Sequence, residues 1–443
     1  MSPSAIPIEG SSDLTTTELT NNGITSSLST STSSALPNGV EGVSTPLPEL
    51  DASLLRITFS QTPKLVPEPN SPEIMSMQCC TDHMITCQWT LNGGWQAPHL
   101  HPYGPLSLMP TASVLHYATE CFEGMKLYRG YDGKLRLFRP NLNCARMLLS
   151  STRIALPGFP PEELLKLVEA LCARDGPKWL PKKYPGRFLY VRPTMIANDP
   201  ALGVQKPKEA LLYIILTCFP DLASSSPNIG MNLLASQDDM VRAWPGGFGY
   251  AKVGANYGPS LLAQGEAKKK GYHQILWLFG EKCEVTEAGA SNFFVVWKTK
   301  EGELELVTAP LHGRIILDGV TRRSVLELAR QRLISGYYDS NLEIDLPALK
   351  IMERKFYMHE MVEAAREGRL VEALACGTAF FIAPVQMVTF RGEDYKIPMG
   401  KDGMGGMVTT LIRGWLKGIM YGKEQHEWGH IIEEEEHDAV QEV

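Results

Sequence analysis

Residues 246–260, GGFGYAKVGANYGPS, place a single lysine, Lys252, between two glycine-rich segments. Glycine has no Cβ, so it lets the main chain approach a neighbour closely and tolerates dihedral angles that other residues resist. A free lysine has a pKa of about 10.4, so a nucleophilic lysine has to be held deprotonated or used as an imine. The stretch therefore fits either a flexible surface loop or a segment that wraps a bound group with Lys252 directed inward.

The sequence before this stretch has the patterns of a small α/β unit, which we predict over residues 73–219. Turn residues between short apolar runs indicate two hairpins, and apolar residues at three- and four-residue spacing indicate two helices. The hairpins are MITCQWTLNGGWQ (84–96) and KLYRGYDGKLRLFRP (126–140), the helices lie in 141–156 and 160–176, and core strands are expected at 187–197 and 209–219.

A larger unit is predicted over residues 229–425, after a Pro- and Ser-rich linker at 220–228 within FPDLASSSPN (219–228). Its patterns predict strands at 231–236, 273–279 and 292–297, helices after Pro259 and at 321–333, a final helix at 354–366, and then CGTAFFIAPV (376–385) entering a strand. We therefore expect an α/β (α+β) protein of two units with a cleft between them, where ligands often bind.

Both ends of the chain have the composition of solvated tails. Residues 1–72 begin with a Ser/Thr-rich stretch that carries acidic residues but no Lys or Arg before Arg56, the reverse of a mitochondrial transit peptide. We predict a disordered leader over 1–72, an acidic tail over 426–443 and a cytoplasmic protein.

Composition excludes several classes of partner. The 443-residue chain has a net charge of −7, which gives no basic surface for nucleic acid. The longest apolar runs, such as 210–219, are shorter than the roughly 20 residues that span a bilayer. The nine cysteines never form a C-x-x-C motif, which favours reduced thiols inside the cell. We expect neither nucleic acid nor membrane as a partner.

Four stretches elsewhere offer groups that would complement a reactive lysine. Glu287 lies in VTEAGASNFF (285–294) and is either a solvated turn carboxylate or the partner of a pyridinium nitrogen. Val320 and Thr321 begin a helix, and Thr378 follows Gly377, so each position is either an ordinary element end or a phosphate site. Arg146 is either an exposed helix arginine or a second phosphate ligand.

An aromatic and arginine set suits an amphipathic acid substrate, although core packing explains the aromatic rings equally well. The set comprises Tyr117, Phe122, Tyr190 and Arg192. His426 and His430 have the i, i+4 spacing of a zinc pair, but no third ligand lies near them in the sequence, so we predict no metal site.

Together these stretches resemble the branched-chain amino acid aminotransferases, members of the fold-type IV, class IV pyridoxal-phosphate enzymes. The resemblance runs from about residue 73 to 425 in constant order. It rests on TDHM (81–84), HPYGPLSL (101–108), LHYATECFEGMKLYRG (115–130), LRLFRPNLN-x-x-RM (135–147), LYVRPT (189–194), LGVQKP (202–207), RAWPGGFGYAKVGANYGPS (242–260), VTEAGASNFF, LDGVTRRSVLELA (317–329) and VEA-x-ACGTA (371–379).

The resemblance implies a role for each matching residue. Lys252 would form the Schiff base with pyridoxal 5'-phosphate and carry the catalytic proton, and Glu287 would pair with the pyridine nitrogen. The other cofactor-binding residues would be Tyr257 at the phenolic oxygen and Arg146, Val320, Thr321 and Thr378 at the phosphate. Tyr117, Phe122, Tyr190, Arg192 and Ala379 would line the substrate pocket, and the protein would be a homodimer in which Tyr117 reaches the neighbouring site.

Three departures from the family pattern fall on the substrate side. Ala290 stands where the family usually has a threonine, CFPDLASSSP (218–227) replaces a segment richer in glycine and aromatic residues, and MSMQCC (75–80) precedes TDHM. They suggest a substrate bulkier or less common than leucine.

The function we predict is transamination between glutamate/2-oxoglutarate and a branched-chain or other hydrophobic amino acid/2-oxo acid pair. It would serve branched-chain amino acid biosynthesis, or an amino acid supply for specialised peptide metabolism. The alternatives are a D-amino acid transaminase or a lyase on the same fold, and a pyridoxal-phosphate-binding protein without turnover.

Overall fold

The computed structural model describes residues 46–69, 71–220, 230–341, 343–379, 381–401 and 403–435. The predictions for 1–45 and 436–443, and nearly all of the predicted linker, lie outside these residues. Within the described ranges, no helix is both long and apolar enough to cross a membrane.

The first sheet is built mainly from the N-terminal half of the chain. Its strands run in the order β1-β4-β2-β9-β8-β6-β7-β21, with β3 beside β2 and β5 beside β8. They are β1 Arg56–Ile57, β2 Cys80–Thr90, β3 Gly94–Trp95, β4 His99–Pro102, β5 Glu120–Phe122, β6 Met125–Arg129, β7 Leu135–Phe138, β8 Phe188–Ala197, β9 Glu209–Cys218 and, from the C-terminus, β21 Gly429–Ile432.

The second sheet contains a closed ring of strand pairs. Strand β12 pairs with both β11 and β13, and the ring continues through β10, β19 and β18. The strands of this sheet are β10 Met231–Ala235, β11 Gln274–Phe279, β12 Glu284–Ala288, β13 Ser291–Lys298, β14 Leu304–Thr308, β17 Leu349–Glu353, β18 Leu370–Gly377, β19 Phe381–Phe390 and β20 Glu393–Lys396. Strands β15 Tyr337–Asp339 and β16 Ile344–Leu346 pair with each other in a separate two-stranded sheet.

Helices cover both sheets, so the fold is mixed α/β as expected. They are α1 Pro72–Met75, α2 Val114–Tyr117, α3 Pro140–Arg153, α4 Pro161–Trp179, α5 Gly258–Lys269, α6 Val320–Arg332, α7 Met358–Arg366 and α8 Met407–Met420, with single 3₁₀ turns at Ala52–Leu54 and Gly254–Asn256. A shared core joins the sheets, because Tyr128 and Phe188 of the first pack in one cluster with Phe294 and Leu374 of the second. The unit boundaries at 219 and 229 stay a prediction.

Local pattern predicted about half of these elements. Both hairpins, β2–β3 and β6–β7, are antiparallel pairs as expected, and helices α3 and α4 overlap the predicted segments, with α3 beginning one residue earlier and α4 ending three residues later. The prediction that the chain has no helix after 354–366 was wrong, because α8 follows it. The start of α8 is satisfied by the distant Glu372, whose carboxylate accepts from the N–H groups of Val408 and Thr409 at 2.9 Å each.

Both predicted tails extend too far into the fold. Leu50 is buried in the first core and β1 pairs with β4, so residues 47–69 belong to the packed structure rather than to a leader. At the other end, β21 pairs antiparallel with β7. Glu434 then forms an ion pair with the buried Arg129, which gives this part of the acidic run a structural role.

Candidate active site

The main-chain N–H and carbonyl of Lys252 both form hydrogen bonds, so this residue does not lie in a flexible surface loop. Its N–H donates to Ser150 Oγ at 2.8 Å, and its carbonyl accepts from the N–H of Phe122 at 3.1 Å. The half-buried side chain places Nζ 4.9 Å from the centre of the Phe122 ring, and Nζ donates to the hydroxyl of Tyr257 at 3.1 Å. The amine therefore lies beside two aromatic rings whose centres are 5.3 Å apart.

The glycines around Lys252 make room for the protein itself at two positions. A Cβ on Gly249 would lie 2.8 Å from the main chain of Ile315, and a Cβ on Gly254 would lie 2.0 Å from Glu120 Oε1. Such contacts leave no space for a side chain. At these two positions, glycine allows the loop to dock against neighbouring segments, not only to clear space for a ligand.

Glu287 is a buried carboxylate with three partners, not a solvated turn residue. Its Oε1 accepts from Asn292 Nδ2 at 3.0 Å and from the N–H of Leu317 at 3.2 Å, while Oε2 contacts the guanidinium of Arg242. Burial raises the pKa of Glu287, and the charges of Arg242 and Lys252 oppose that rise. The antiparallel pairing of Glu287 with Asn292 across β12 and β13 fixes this arrangement.

Arg146 lies on α3 and forms a two-point ion pair with Glu123, a residue that is fully buried. Its Nε and Nη2 donate to the two carboxylate oxygens at 2.7 and 2.8 Å, and Nη1 donates to the carbonyl of Asp318 at 2.9 Å. Desolvation opposes charge on Glu123, yet the nearby Arg146 holds the pKa of Glu123 below its usual range. A guanidinium has five N–H donors, so two remain for another acceptor.

The predicted phosphate positions lie on elements that Arg146 connects. The carbonyl of Asp318 that accepts from Arg146 lies two residues before the start of α6, where Val320 and Thr321 are buried. The first N–H groups of a helix have no partner within the helix. Thr378 Oγ1 donates to the carbonyl of Gly124 at 3.3 Å, and Lys126 Nζ donates to the carbonyl of Ala379 at the same distance.

The predicted substrate residues form a stack that begins at the lysine. The Arg192 guanidinium lies 4.6 Å from the Phe122 ring centre and 5.0 Å from that of Tyr190. Its Nη2 donates to the Tyr190 hydroxyl at 3.3 Å, while its buried Nε has no hydrogen-bond partner among the described residues. Both Lys252 and Arg192 therefore place a cation against the Phe122 ring.

Tyr117 is placed differently from the other predicted residues. It ends α2, is 39 % exposed, and its ring contacts that of His116 at 6.1 Å. Among the described contacts, none joins Tyr117 to Lys252, Phe122 or Arg192. The structure thus brings together Lys252, Tyr257, Phe122, Arg192 and Tyr190, but not Tyr117.

Sequence patterns missed three residues that organise the site. Glu123 and Arg242 are charged residues within motifs that were already singled out, and their pairing with Arg146 and Glu287 becomes visible only in three dimensions. Phe219 was assigned to the end of a strand, yet its ring stacks on Tyr190 with centres 5.0 Å apart. Charge balance was the available signal, because a buried carboxylate requires a cation.

The histidine pair near the C-terminus has protein partners. His430 Nε2 lies 2.6 Å from Glu169 Oε1, and the ring centres of His426 and Trp428 are 4.5 Å apart, with the planes tilted by 59°. Within the described ranges, no group of three His, Cys, Asp or Glu residues is arranged to hold a metal ion.

The geometry defines a class of protein, one that binds a cofactor with three reactive features. The amine beside aromatic rings suits an aldehyde, the buried carboxylate suits a ring nitrogen, and the helix start suits an anionic group. Comparison with known proteins agrees with this class. Residues 120–386 match the family described as amino-transferase class IV, and the chain belongs to this family.

Relatives extend the similarity over most of the chain. The mitochondrial branched-chain-amino-acid aminotransferase of Schizosaccharomyces pombe is 42 % identical over 375 residues, which is 85 % of this chain and 84 % of the relative. The cytosolic enzyme of that name from Saccharomyces cerevisiae is also 42 % identical, over 87 % of this chain and 98 % of the relative. The cytosolic enzyme of that name from Mus musculus is 41 % identical over 84 % of this chain and 91 % of the relative.

Solved structures support the fold. The branched-chain amino acid aminotransferase of Escherichia coli matches with a TM-score of 0.57 at 23 % identity, covering 78 % of this chain and 98 % of that one. The enzyme of that name from Thermobaculum terrenum, in its PLP form, matches with a TM-score of 0.56 at 22 % identity. The match covers 78 % of this chain and 98 % of that one.

Proposed function

We propose that this protein is a pyridoxal-phosphate-dependent transaminase that moves an amino group between glutamate/2-oxoglutarate and a branched-chain or other hydrophobic amino acid/2-oxo acid pair. One observation carries the proposal: Lys252 is locked by its main chain and positioned against Phe122 and Tyr257. The names of the relatives support the substrate class.

The residues present fit pyridoxal phosphate. Lys252 would hold the cofactor covalently, Glu287 would face the ring nitrogen, and Tyr257 would neighbour the phenolic oxygen. The start of α6, Thr378 and the two remaining donors of Arg146 would hold the phosphate, a pattern that helix N-termini and arginines support in general. When bound, the cofactor serves as an electron sink for a carbanion at the substrate Cα.

The chain's own residues would supply binding, orientation and proton transfer. Nζ of Lys252 would take and return the proton at the substrate Cα, since the hydroxyl of Tyr257 holds the amine 3.1 Å away and fixes its position. Glu287 would hold a proton at the ring nitrogen, and Arg242 supports its negative charge. Arg192, whose Nε is unpaired among the described residues, would bind a substrate carboxylate.

Spectroscopy and half-reactions test this proposal. Purified protein loaded with pyridoxal phosphate should absorb as an imine, and Lys252→Ala should lose that absorbance, whereas Lys269→Ala, at an exposed lysine on α5, should keep it. L-glutamate should donate to 4-methyl-2-oxopentanoate, and D-alanine should not. A wild type that stays colourless after loading would overturn the proposal, and turnover of D-alanine would favour the D-amino acid alternative.

Substrate size is a finer part of the proposal. Ala290 is exposed at the turn between β12 and β13 and lacks the hydroxyl that the family usually has there. We propose that the chain accepts 2-oxo acids larger than that of leucine, as a role in specialised metabolism would require. A panel of linear, branched and aromatic 2-oxo acids tests this; a strict preference for the leucine, isoleucine and valine acids would contradict it.

We also propose a homodimer. Helix α5 follows Tyr257 directly, yet Leu261 and Leu262 are 71 % and 68 % exposed, and Tyr117 is 39 % exposed. Exposed apolar side chains on one helix favour a protein partner. Light scattering should give twice the chain mass, and Leu261→Glu with Leu262→Glu should reduce it; an unchanged mass would place the contact elsewhere.

A cytoplasmic location stays a prediction, because the relatives include proteins named both mitochondrial and cytosolic. Imaging a C-terminally tagged full-length chain would test it.

A further inference from the structure

We propose that Phe219 is a specificity-determining residue: it positions Tyr190 and, through it, the guanidinium of Arg192, and so sets the preference for the dicarboxylic substrate. This inference rests on the proposed function, because it assumes that Arg192 binds the distal carboxylate of glutamate. Phe219 acts through its neighbours, so it is a positioning residue and not a catalytic one.

The first support is the geometry of the contacts. The rings of Tyr190 and Phe219 stack with centres 5.0 Å apart and planes inclined by 28°. The Arg192 guanidinium contacts the same tyrosine twice, at the ring centre 5.0 Å away and at the hydroxyl 3.3 Å from Nη2. Tyr190 therefore contacts both Phe219 and Arg192.

The second support is what limits Tyr190 at its other end. A Cβ on Gly124 would lie 2.0 Å from the tyrosine hydroxyl, so Gly124 leaves room for this ring position and no more. Tyr190 is 8 % exposed in a strand of the first sheet. With the hydroxyl confined by Gly124, stacking on Phe219 fixes the orientation of the ring.

The third support is the space behind Phe219. It lines an open, mainly apolar cavity of about 210 Å³, together with Ile74, Leu180 and Phe188. Truncation of Phe219 would enlarge this cavity and leave free volume into which the Tyr190 ring can turn. Arg192 would then lose the fixed acceptor that orients it, since its Nε has no partner among the described residues.

Single-turnover half-reactions of the cofactor-loaded protein separate the two substrate classes. Phe219→Ala should lower kmax/Kd for L-glutamate by roughly three- to tenfold, the effect of losing one aromatic pair, with L-leucine changed less than twofold. Phe219→Tyr keeps the flat ring and should restore the wild-type ratio. Phe219→Leu keeps apolar volume without a ring and should resemble Phe219→Ala.

Two controls distinguish positioning from stability. Ile74→Ala enlarges the same cavity but keeps both rings of the Phe219–Tyr190 stack, so it should lower the thermal midpoint without changing the glutamate/leucine ratio. In an Arg192→Gln background, Phe219→Ala should give no further change in that ratio, because residues that act as one unit are not additive. Equal losses for both substrates, or an additive double variant, would overturn the inference.

The proposed function and this inference fail in different ways. If Lys252→Ala keeps wild-type absorbance and turnover, the function is wrong. If wild-type turnover depends on Lys252 but the Phe219 series leaves the substrate ratio unchanged, only the inference is wrong.

Discussion

Replacement of Glu434 by alanine is expected to destabilise the protein far more than its position near the C-terminus suggests. Arg129 has a side chain with no exposed surface, and its Nη1 and Nη2 donate to the two Glu434 carboxylate oxygens at 2.6 and 3.0 Å. Loss of Glu434 leaves Arg129 only the carbonyls of Leu180 and Gly133 among these partners, each at 2.6 Å.

The magnitude follows from the burial of the arginine. Removing one partner of a buried ion pair costs about 3–5 kcal/mol because the remaining charge is buried without compensation. Glu434 is itself 20 % exposed, so water can reach the vacated position, and we expect about 2–4 kcal/mol. For a chain of this size, that lowers the thermal midpoint by roughly 2–4 °C.

The neighbouring glutamate supplies a matched control. Glu435 contacts Arg174 at 3.4 Å and is 42 % exposed, so Glu435→Ala should cost under about 1 kcal/mol. Both variants are compared by urea denaturation at 25 °C and by calorimetry. Equal free energies of unfolding for Glu434→Ala and Glu435→Ala would refute the assignment of a structural role to Glu434. A double variant, Arg129→Met with Glu434→Leu, should be more stable than Glu434→Ala, because it removes the buried charge.

Three further predictions concern the site and its frame. Burial raises the pKa of Glu287 and the charge of Arg242 opposes the rise. Arg242→Gln should therefore raise the pKa of Glu287 further and move the acidic limit of the cofactor absorbance to higher pH. An unchanged pH titration of that absorbance would contradict the pairing. Gly124→Ala should reduce single-turnover rates at least tenfold, because its Cβ would lie 2.0 Å from the Tyr190 hydroxyl, whereas Gly104→Ala, where a Cβ meets nothing within 4 Å, should not. Glu372→Gln should cost about 1–3 kcal/mol in urea denaturation, since the amide turns a donor toward the N–H groups that begin α8; an unchanged free energy of unfolding would show that this helix start needs no carboxylate.

Sequence patterns were sufficient where the structural signal is local. Turn residues between apolar runs predicted both hairpins, and helical spacing predicted α3 and α4, because neighbours in sequence determine these elements. Helix α8 was missed because glycines precede it and its N-terminal N–H groups are satisfied by Glu372, 35 residues upstream of the helix's first residue, Met407. A single sequence gives no sign of a partner at that separation.

The same distinction applies to the site. Resemblance pointed to Lys252, Glu287 and Arg192, and the structure places Lys252 and Arg192 on one aromatic ring, Phe122. The resemblance gave no indication that Glu123 binds Arg146 or that Arg242 binds Glu287. Such pairs depend on the topology of the fold and not on the spacing of residues in the sequence.

These buried ion pairs explain how a chain can hold its reactive groups rigidly before any ligand is present. An isolated buried charge is costly, and a paired one costs less but fixes both side chains in one geometry. Glu123 fixes Arg146 between α3 and the start of α6, and Arg242 fixes Glu287 beside the Lys252 loop. Burying each charge costs stability, and the resulting ion pair holds Arg146 and Glu287 in fixed orientations. Because each pair joins segments far apart in sequence, variants at Glu123 or Arg242 should disturb the site more than they disturb either sheet. Comparing cofactor absorbance with the free energy of unfolding in Glu123→Gln tests this directly: loss of stability without loss of absorbance would show that the pair supports the fold and not the site.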